Sequence, residues 1–374
     1  MRYLSKYIEK DLVDKMIILS GPRQVGKTTL ALSFLGTKAD ETHPGYINWD
    51  LTDDKASLIK GKLPLHLPVI VLDEIHKYEG WRNLLKGIWD KNKSRIKIIV
   101  TGSARLDHYR HGGDSLFGRH FSYRLHPFSL NELPSAFTVD DLMSFGGFPE
   151  PLHKKDEVFL RRWRRERKYR VTHDDVRDLE RVRDITKLEI LLSLLEQKVG
   201  SALSVQSLRQ DLSVSHGALD SWLDILDNLY LTFRVAPYNA KLARMITKEK
   251  KAYFWDWSEC QEENAKFENL VACQLLKYCH FLEDTQGYKM QLCYLRDRDG
   301  REVDFVVVKD NRIEFGVECK LKSKELSKSL GYYQSRLSVP KMYQVHLGSE
   351  DWGDESDGGR NIPLSTFCKN LGIP

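Results

Sequence analysis

The sequence predicts an α/β chain: a parallel-sheet domain, then a helical segment in winged-helix order, then a second α/β domain. Three observations carry this expectation. Short apolar runs alternate with helical stretches up to about residue 145. The alternation stops at a Gly/Pro turn cluster, Gly146 to Pro151. Near Lys266 a helical pattern begins that leads into three closely spaced strand patterns. At 374 residues, two or three domains are expected, with boundaries at 1–150, 151–256 and 257–374.

The elements follow in order. Residues 16–20 (MIILS) form a short buried strand, and a glycine-bearing loop leads into a helix from Thr28 to Leu35. Residues 68–72 (PVIVL) are a second strand, closed by Asp73 and Glu74. Trp81, Leu84, Leu85, Ile88 and Trp89 recur at helical spacing, so Trp81–Lys91 is a helix. Residues 96–100 (IKIIV) are a third strand, ending in Thr101, Gly102 and Ser103. Past the turn cluster, a charged helix spans Glu157–Glu180 and an amphipathic helix spans residues 186–199. Two helices over residues 204–235 are separated by Ser213–Gly217 and followed by a strand, Tyr230–Val235. In the last third come a helix (Phe267–Tyr278), strands at 291–296, 303–308 and 313–320, and a helix from Lys322 to Leu337. The stretch Gly348–Arg360 has the Gly/Asp/Ser composition of an exposed loop.

Composition narrows the functional classes. A hydrophobic fraction of 41% with 30% charged residues supports buried cores rather than disorder. No apolar run reaches the ~18–20 residues that span a bilayer. Met1–Lys10 lacks the apolar stretch of a secretory signal. The six cysteines, at 260, 273, 279, 293, 319 and 368, form no CxxC pair and have no His at zinc spacing. Reduced thiols in a cytoplasmic protein are expected, not disulfides or zinc. A net charge of +5 permits nucleic-acid binding without arguing strongly for it.

Gly21-Pro-Arg-Gln-Val-Gly26-Lys27-Thr28 matches G-x-x-x-x-G-K-[ST], between a predicted strand and a predicted helix. Glycines let main-chain N–H groups curl around phosphate oxygens, and the helix N-terminus adds partial positive charge. The nucleotide-binding set is Gly21, Arg23, Gly26, Lys27, Thr28, Thr29 and Asp73. Lys27 is expected on the β- and γ-phosphates, and Thr28 on Mg²⁺. Asp73 would hold Mg²⁺ through water, and Glu74 would orient or deprotonate the attacking water. Thr101 or Ser103 is a γ-phosphate sensor or a plain turn residue. An arginine near the γ-phosphate is sought among Arg23, Arg105 and Arg119. Arg119 is preferred, in cis or from a neighbouring subunit, against a structural salt bridge.

The last third carries a second constellation. Asp304 lies in Arg301-Glu-Val-Asp304-Phe, and Glu318-Cys-Lys320 follows a turn at Lys309–Asn311. Glu318 and Lys320 share one face of a strand, while Val317, Cys319 and Leu321 point into the core. A hairpin would bring Asp304 beside them, and Glu268 on the preceding helix adds a carboxylate. This is the pattern of the PD-(D/E)xK nucleases. Asp304, Glu318 and Glu268 would hold a divalent ion, Mg²⁺ or Mn²⁺. Lys320 would stabilise charge on the scissile phosphate. A charged solvent face on an edge strand is the competing reading.

Arg161-Arg-Trp-Arg-Arg-Glu-Arg-Lys-Tyr-Arg170 holds seven basic side chains and one acid. It is either a phosphate-tracking surface or a solvated face balancing the acidic run Asp174–Glu180. Ser213, Ser215 and His216 would open a recognition helix, although Asp220, Asp224 and Asp227 on that helix disfavour phosphate contact.

Taken together, GPRQVGKTT, VIVLDEIHK, TGSARL, LFGR, LHPFSLNEL and GGFPEP resemble a group of prokaryotic AAA-type ATPases. LSVSHGALDSWLDILDNLYL, PYNAKLARMITKEKKAYFWD and FENLVACQLLK are similar to the C-terminal domain that accompanies this ATPase. EVDFVVV and VECKLKS resemble its restriction-endonuclease-like end. The resemblance implies ATP binding at Gly21, Gly26, Lys27, Thr28, Asp73 and Glu74. It implies nuclease-type roles for Glu268, Asp304, Glu318 and Lys320. Cys319 departs from the Val common at that position, and Ala104–Arg105 departs from a second serine after Ser103. The expected protein is a Mg-ATP-hydrolysing ATPase coupled to a nuclease-like, nucleic-acid-associated module, with DNA favoured over RNA. The alternatives are a nucleotide-dependent switch or a DNA- or protein-binding regulator with an inactive nuclease-like domain. A homo-oligomer or a protein partner is also expected.

Overall fold

The computed structural model describes residues 2–102, 116–176, 182, 184–238, 249–322 and 325–374. The chain divides into two compact units: Met1–His126 with Asn228–Tyr230, and Pro127–Asp227 with Leu231–Pro374.

Unit 1 holds α1 (Ser5–Asp11), β1 (Met16–Ser20), α2 (Lys27–Leu32), β2 (Tyr46–Asn48), α3 (Thr52–Ile59), β3 (Val69–Asp73), α4 (Trp81–Asn92), β4 (Lys97–Gly102) and β5 (His120–Arg124). The sheet order is β2-β3-β4-β1-β5, and every pairing is parallel. All five residues of β1 are buried, as expected for a central parallel strand covered on both faces. One face packs Ile18, Ile70, Leu72 and Ile98 against Trp81, Leu85, Ile88 and Trp89 of α4. The predicted strands and the α4 periodicity are therefore present, within the usual shift of a residue or two at their ends. Because β4 lies between β1 and β3, the carboxyl ends of all three meet along one edge of the sheet. That edge is where open parallel sheets bind ligands.

Unit 2 opens with helices: α5 (Val139–Phe145), α6 (Pro149–Lys154), α7 (Glu157–Arg170), α8 (Ile185–Glu196), α9 (Val205–Leu212) and α10 (His216–Asn228). Side chains cap several of them. Asp156 accepts from the Phe159 N–H, Asp184 from Lys187, Ser204 from Ser207 and Ser215 from Ala218. An antiparallel hairpin follows, β6 (Thr232–Pro237) with β7 (Lys251–Phe254). Ala202 bridges Lys251 on its other side. Three helices and a strand thus occur in the predicted order, while the pairing of that strand with β7 is an addition.

The rest of unit 2 is α11 (Glu263–Gln286), β8 (Met290–Arg296), β9 (Glu302–Lys309), β10 (Arg312–Cys319), α12 (Lys328–Leu337), β11 (Met342–His346), β12 (Trp352–Asp354), β13 (Gly359–Pro363) and α13 (Leu364–Leu371). The strands run in the order β12-β13-β11-β10-β9-β8-β6-β7. β8, β9 and β10 are an antiparallel meander, while β11 and β13 add in parallel. Two expectations change here. Gly348–Arg360 is not all loop, because Trp352–Asp354 pairs with Gly359–Asn361. Gly353 permits this close return: a Cβ there would stand 2.6 Å from the Gly359 carbonyl oxygen. The helix predicted from Lys322 begins at Lys328. Ahead of it, the Ser327 N–H is taken by Gln344 Oε1 at 2.9 Å.

The segment after His126 belongs to unit 2, although it precedes the Gly146–Pro151 turn cluster. Buried Lys277 of α11 donates to the Pro127 carbonyl (3.2 Å) and Ser129 Oγ (3.0 Å), and it pairs with Glu132. Asn131 donates to the carbonyls of Cys368 (3.0 Å) and Ile373 (2.7 Å). Local patterning cannot foresee partners so distant in sequence. All six cysteines are free; five are buried and Cys319 is half-buried. No helix among the described residues is long and apolar enough to cross a membrane.

Candidate functional site

The Gly21–Thr28 loop leaves the carboxyl end of β1 and enters α2. Gly21 has φ +149°, and a Cβ there would lie 2.4 Å from the Leu125 carbonyl oxygen. Glycine is therefore required by both conformation and space. Gly26 takes the left-handed conformation immediately before α2. Buried Lys27 directs its ammonium back onto the loop, to the carbonyls of Gly21 (3.0 Å) and Pro22 (2.7 Å). Thr28 is half-buried, and Thr29 is exposed on the first turn of α2.

Asp73 closes β3 and is buried. Its Oδ2 accepts from Thr28 Oγ1 (3.1 Å) and from the Tyr46 hydroxyl (2.7 Å), and its Oδ1 accepts from Thr101 Oγ1. A hydroxyl and a carboxylate side by side are hard oxygen donors of the kind Mg²⁺ takes, so Thr28 and Asp73 fit that ion. Glu74 adopts a left-handed backbone at φ 55°. Burial raises its pKa and Asp73 adds to the rise, whereas Lys27, Lys77 and Arg23 oppose it. Next to it, burial drives the His76 pKa down to about 4, with Lys77 adding to the fall. Burial, then Asp73, raises the Tyr46 pKa, so its hydroxyl stays a donor. Sequence patterning does not single out Tyr46. Its signal is only that a short strand precedes the acidic one.

Two further candidates have these positions. Thr101, a candidate sensor, donates its hydroxyl to Asp73 Oδ1. Arg119 precedes the first residue of β5, and Met16 pairs with His120 at the amino end of β1. In a parallel sheet, that is the edge opposite the phosphate loop. Arg119 forms a fork with Asp90, its Nε 2.8 Å from Oδ1, which is the salt bridge that competed with the cis arginine. Ser103 and Arg105 lie outside the described residues.

The second constellation assembles in unit 2 with additional members. Phe305 pairs with Val317 across the β9–β10 hairpin, which sets Asp304 opposite Glu318. The Cys319 N–H donates to Asp304 Oδ2 at 2.8 Å. Glu318 is buried, so the residues alternating with the core do not all face solvent; its Oε1 pairs with half-exposed Lys320 at 2.8 Å. Glu318 Oε2 is buried without a hydrogen-bond partner. Lys251 of β7 enters the cluster. Its ammonium is 2.5 Å from Glu302, 3.4 Å from Glu268 and 3.8 Å from Asp304. Tyr253, also on β7, donates to Glu268 at 2.7 Å. Gly200 makes room for that carboxylate, since a Cβ would be 2.8 Å from Glu268 Oε1.

Burial, followed by the Asp304 charge, raises the pKa of both Glu268 and Glu318 to about 7. Burial also raises that of Asp304. Burial disfavours the Lys251 ammonium, but Glu268, Asp304 and Glu302 outweigh it and hold the proton on. Among the described residues, no three His, Cys, Asp or Glu side chains are grouped to hold a metal ion. With the ammonium in place, the expected ligands Glu268, Asp304 and Glu318 do not fit a divalent ion. Lys251, Tyr253 and Glu302 join the cluster without belonging to the sequence motif. Glu302-x-Asp304 and Lys251-x-Tyr253 both carry the period-2 signal of a shared strand face, but nothing local says the two faces meet.

The basic helix α7 is divided between inside and outside. Arg167 is buried, its guanidinium 4.3 Å from the Phe148 ring centroid. Lys168 pairs with Glu196 (2.5 Å) and Glu259 (2.6 Å), and Arg164 donates to the Ser258 carbonyl. Arg161, Arg162, Arg165 and Arg170 are exposed. On α10, Asp220 faces His216 at 2.9 Å, and Asp224 and Asp227 hold Arg234 at 2.5 and 2.7 Å. Most of the acidic run Asp174–Glu180 lies outside the described residues.

Residues 13–134 match a family model described as an AAA domain, which supports a P-loop AAA-type ATPase unit. Residues 137–259 and 263–367 match two domains of unknown function, DUF8612 and DUF4143. An uncharacterised protein of Methanocaldococcus jannaschii is 22% identical, over 94% of this chain and 86% of its own length. A second from that organism is 23% identical, over 87% of this chain and 80% of its own. An uncharacterised Mycobacterium tuberculosis protein is 23% identical, over 64% of this chain and 54% of its own. Among solved structures, a Thermotoga maritima RuvB variant aligns at 17% identity and a TM-score of 0.33, over 62% of this chain and 88% of its own.

Proposed function

We propose that unit 1 binds and hydrolyses Mg-ATP, and that unit 2 is a DNA-associated module that binds without cleaving. The observation that carries the first part is the placement of Lys27, Thr28, Asp73 and Glu74 along one edge of the parallel sheet. The loop N–H groups and the start of α2 receive the phosphates. Lys27 leaves the Gly21 and Pro22 carbonyls and takes up the β- and γ-phosphate oxygens. Thr28, and Asp73 through water, would hold Mg²⁺, whose charge offsets that of the phosphates. Thr101 and Tyr46 keep Asp73 oriented. A water oxygen attacks the γ-phosphorus, the bond to the β–γ bridging oxygen breaks, and ADP departs. Glu74 accepts the water's proton; burial raises its pKa above the ordinary carboxylate value, which makes it a stronger base.

For unit 2, support comes from the helix–helix–helix–hairpin order of a winged helix and from the exposed arginines of α7. The nuclease alternative needs a metal among carboxylates that already surround Lys251, so the inactive-module reading is preferred.

The test is steady-state turnover alongside direct nucleotide binding. Lys27→Ala should lose binding. Glu74→Gln should bind Mg-ATP yet turn it over ~10²-fold more slowly or worse. Normal ATP binding by Lys27→Ala would overturn the assignment of unit 1. Full turnover by Glu74→Gln would remove Glu74 as the base.

A further inference from the structure

We propose that the Lys251 ammonium is the resident cation of the unit 2 carboxylate cluster, and that it keeps divalent metal out. The proposal deepens the reading of unit 2 as a module that does not cleave, and is independent of ATP turnover.

Lys251 is nearly fully buried. Its main chain is held on both sides, by Val235 across the hairpin and by the bridge to Ala202. The neighbouring contacts from Leu203 N to the Lys250 carbonyl (2.9 Å) and from Gly200 N to the Ala252 carbonyl (3.3 Å) continue that clamp. The ammonium is thus presented from a fixed strand rather than by a surface side chain with free rotamers. It lies within ion-pair distance of Glu268, Glu302 and Asp304 at once.

Side chains of the chain itself already meet the charge of these carboxylates: Lys251 lies among Glu268, Glu302 and Asp304, Arg296 pairs with Glu302 at 3.2 Å, and Lys320 pairs with Glu318 at 2.8 Å. Glu318, opposite Asp304 on the hairpin, keeps one oxygen, Oε2, buried without a hydrogen-bond partner. A hard divalent cation would have to compete with the ammonium for these same oxygens. It cannot share the space: two cations a few ångströms apart in a buried site repel strongly. The cluster is therefore occupied by the protein's own cation, which shuts a divalent ion out while Lys251 is in place.

The probe is Mn²⁺ alone, without nucleotide, titrated into the full chain and followed by the loss of the free-ion paramagnetic resonance signal. Four proteins are compared: wild type, Asp304→Asn, Lys251→Met and Lys251→Met/Asp304→Asn. Wild type and Asp304→Asn should titrate alike. Lys251→Met should gain one Mn²⁺ per chain at least ~10-fold tighter than any wild-type binding, and the double variant should lose it. Weaker Mn²⁺ binding by Asp304→Asn than by wild type would overturn the proposal, because metal would then enter with Lys251 present. A folded Lys251→Met with no gain would also overturn it. Should Lys251→Met fail to fold, Lys251→Gln, which keeps a polar tip without the charge, carries the same expected gain, and its absence in that folded variant would overturn the proposal. Lys251→Arg, which retains a cation, should behave as wild type; gaining the Mn²⁺ site would count against charge as the cause.

Discussion

Asp73 accepts hydrogen bonds from Thr28, Tyr46 and Thr101, which come from three separate elements. Two of them share Oδ2, so removing the Tyr46 hydroxyl changes the oxygen that Thr28 also touches. Tyr46→Phe is expected to cost about 1 kcal/mol of stability. Its more telling effect is on the ion: the Mg²⁺ concentration for half-maximal turnover should rise ~3–10-fold, because Asp73 is less firmly oriented. Turnover measured across a Mg²⁺ series checks this. An unchanged midpoint would make Tyr46 a packing residue only. The motif residues were legible because each follows a local rule. Tyr46 was not, since an aromatic in a short strand is ordinarily core, and only the β2–β3 pairing carries its hydroxyl to Asp73.

The α7 helix shows what periodicity conceals. Seven cations in ten residues read as one basic surface, yet Arg164, Arg167 and Lys168 turn toward Ser258, Phe148, Glu196 and Glu259. The aliphatic stems and planar guanidinium let such residues line a core when partners compensate the charge. Only the opposite stripe is available to a nucleic acid. Arg162→Ala with Arg165→Ala should weaken duplex binding and lower the slope of log affinity against log salt by about 2. Binding titrations at four or more salt concentrations measure that slope; an unaltered slope would rule out phosphate contact by α7. Sequence did foretell the strand of Glu318 and Lys320, but not that Glu318 would be buried. Burial on both faces depends on what β9 and β7 bring to that end of β10.

Across the whole molecule, the carboxylate cluster makes stability depend on pH. Glu268 and Glu318 have pKa values raised from the ordinary 4.5 to about 7. Between those values the folded chain keeps protons that the unfolded chain releases, so their stabilisation is complete below about 4.5 and is lost as pH rises through about 7. Glu318→Gln should therefore flatten the fall in melting temperature between pH 5 and pH 8. If Glu318 titrated alone, the lost pH dependence would be up to ~3 kcal/mol; its coupling to Asp304 makes it less. Thermal melts of wild type and Glu318→Gln across that range check the sign. A wild-type profile that rises with pH, with no difference in the variant, would contradict the buried-carboxylate reading.

The phosphate loop, the acids that close β3 and the alternation of strand and helix were determined by sequence alone. Each is written in contiguous residues: a loop needs glycines at fixed offsets, and a buried strand needs an unbroken apolar run. The Asp304–Glu318 pairing was also within reach, because a hairpin links neighbouring strands. Tertiary structure alone decided that Arg119 stands at the far edge from the phosphate loop, that three cations of α7 face inward, and that Lys251 lies among Glu268, Glu302 and Asp304. Those outcomes depend on which distant strands and helices come together. A charged side chain carries no local mark of whether its partner will be water, a phosphate or a buried carboxylate. Its environment is set by long-range packing, where the free-energy cost of burying a charge must be met by whatever partners the fold supplies.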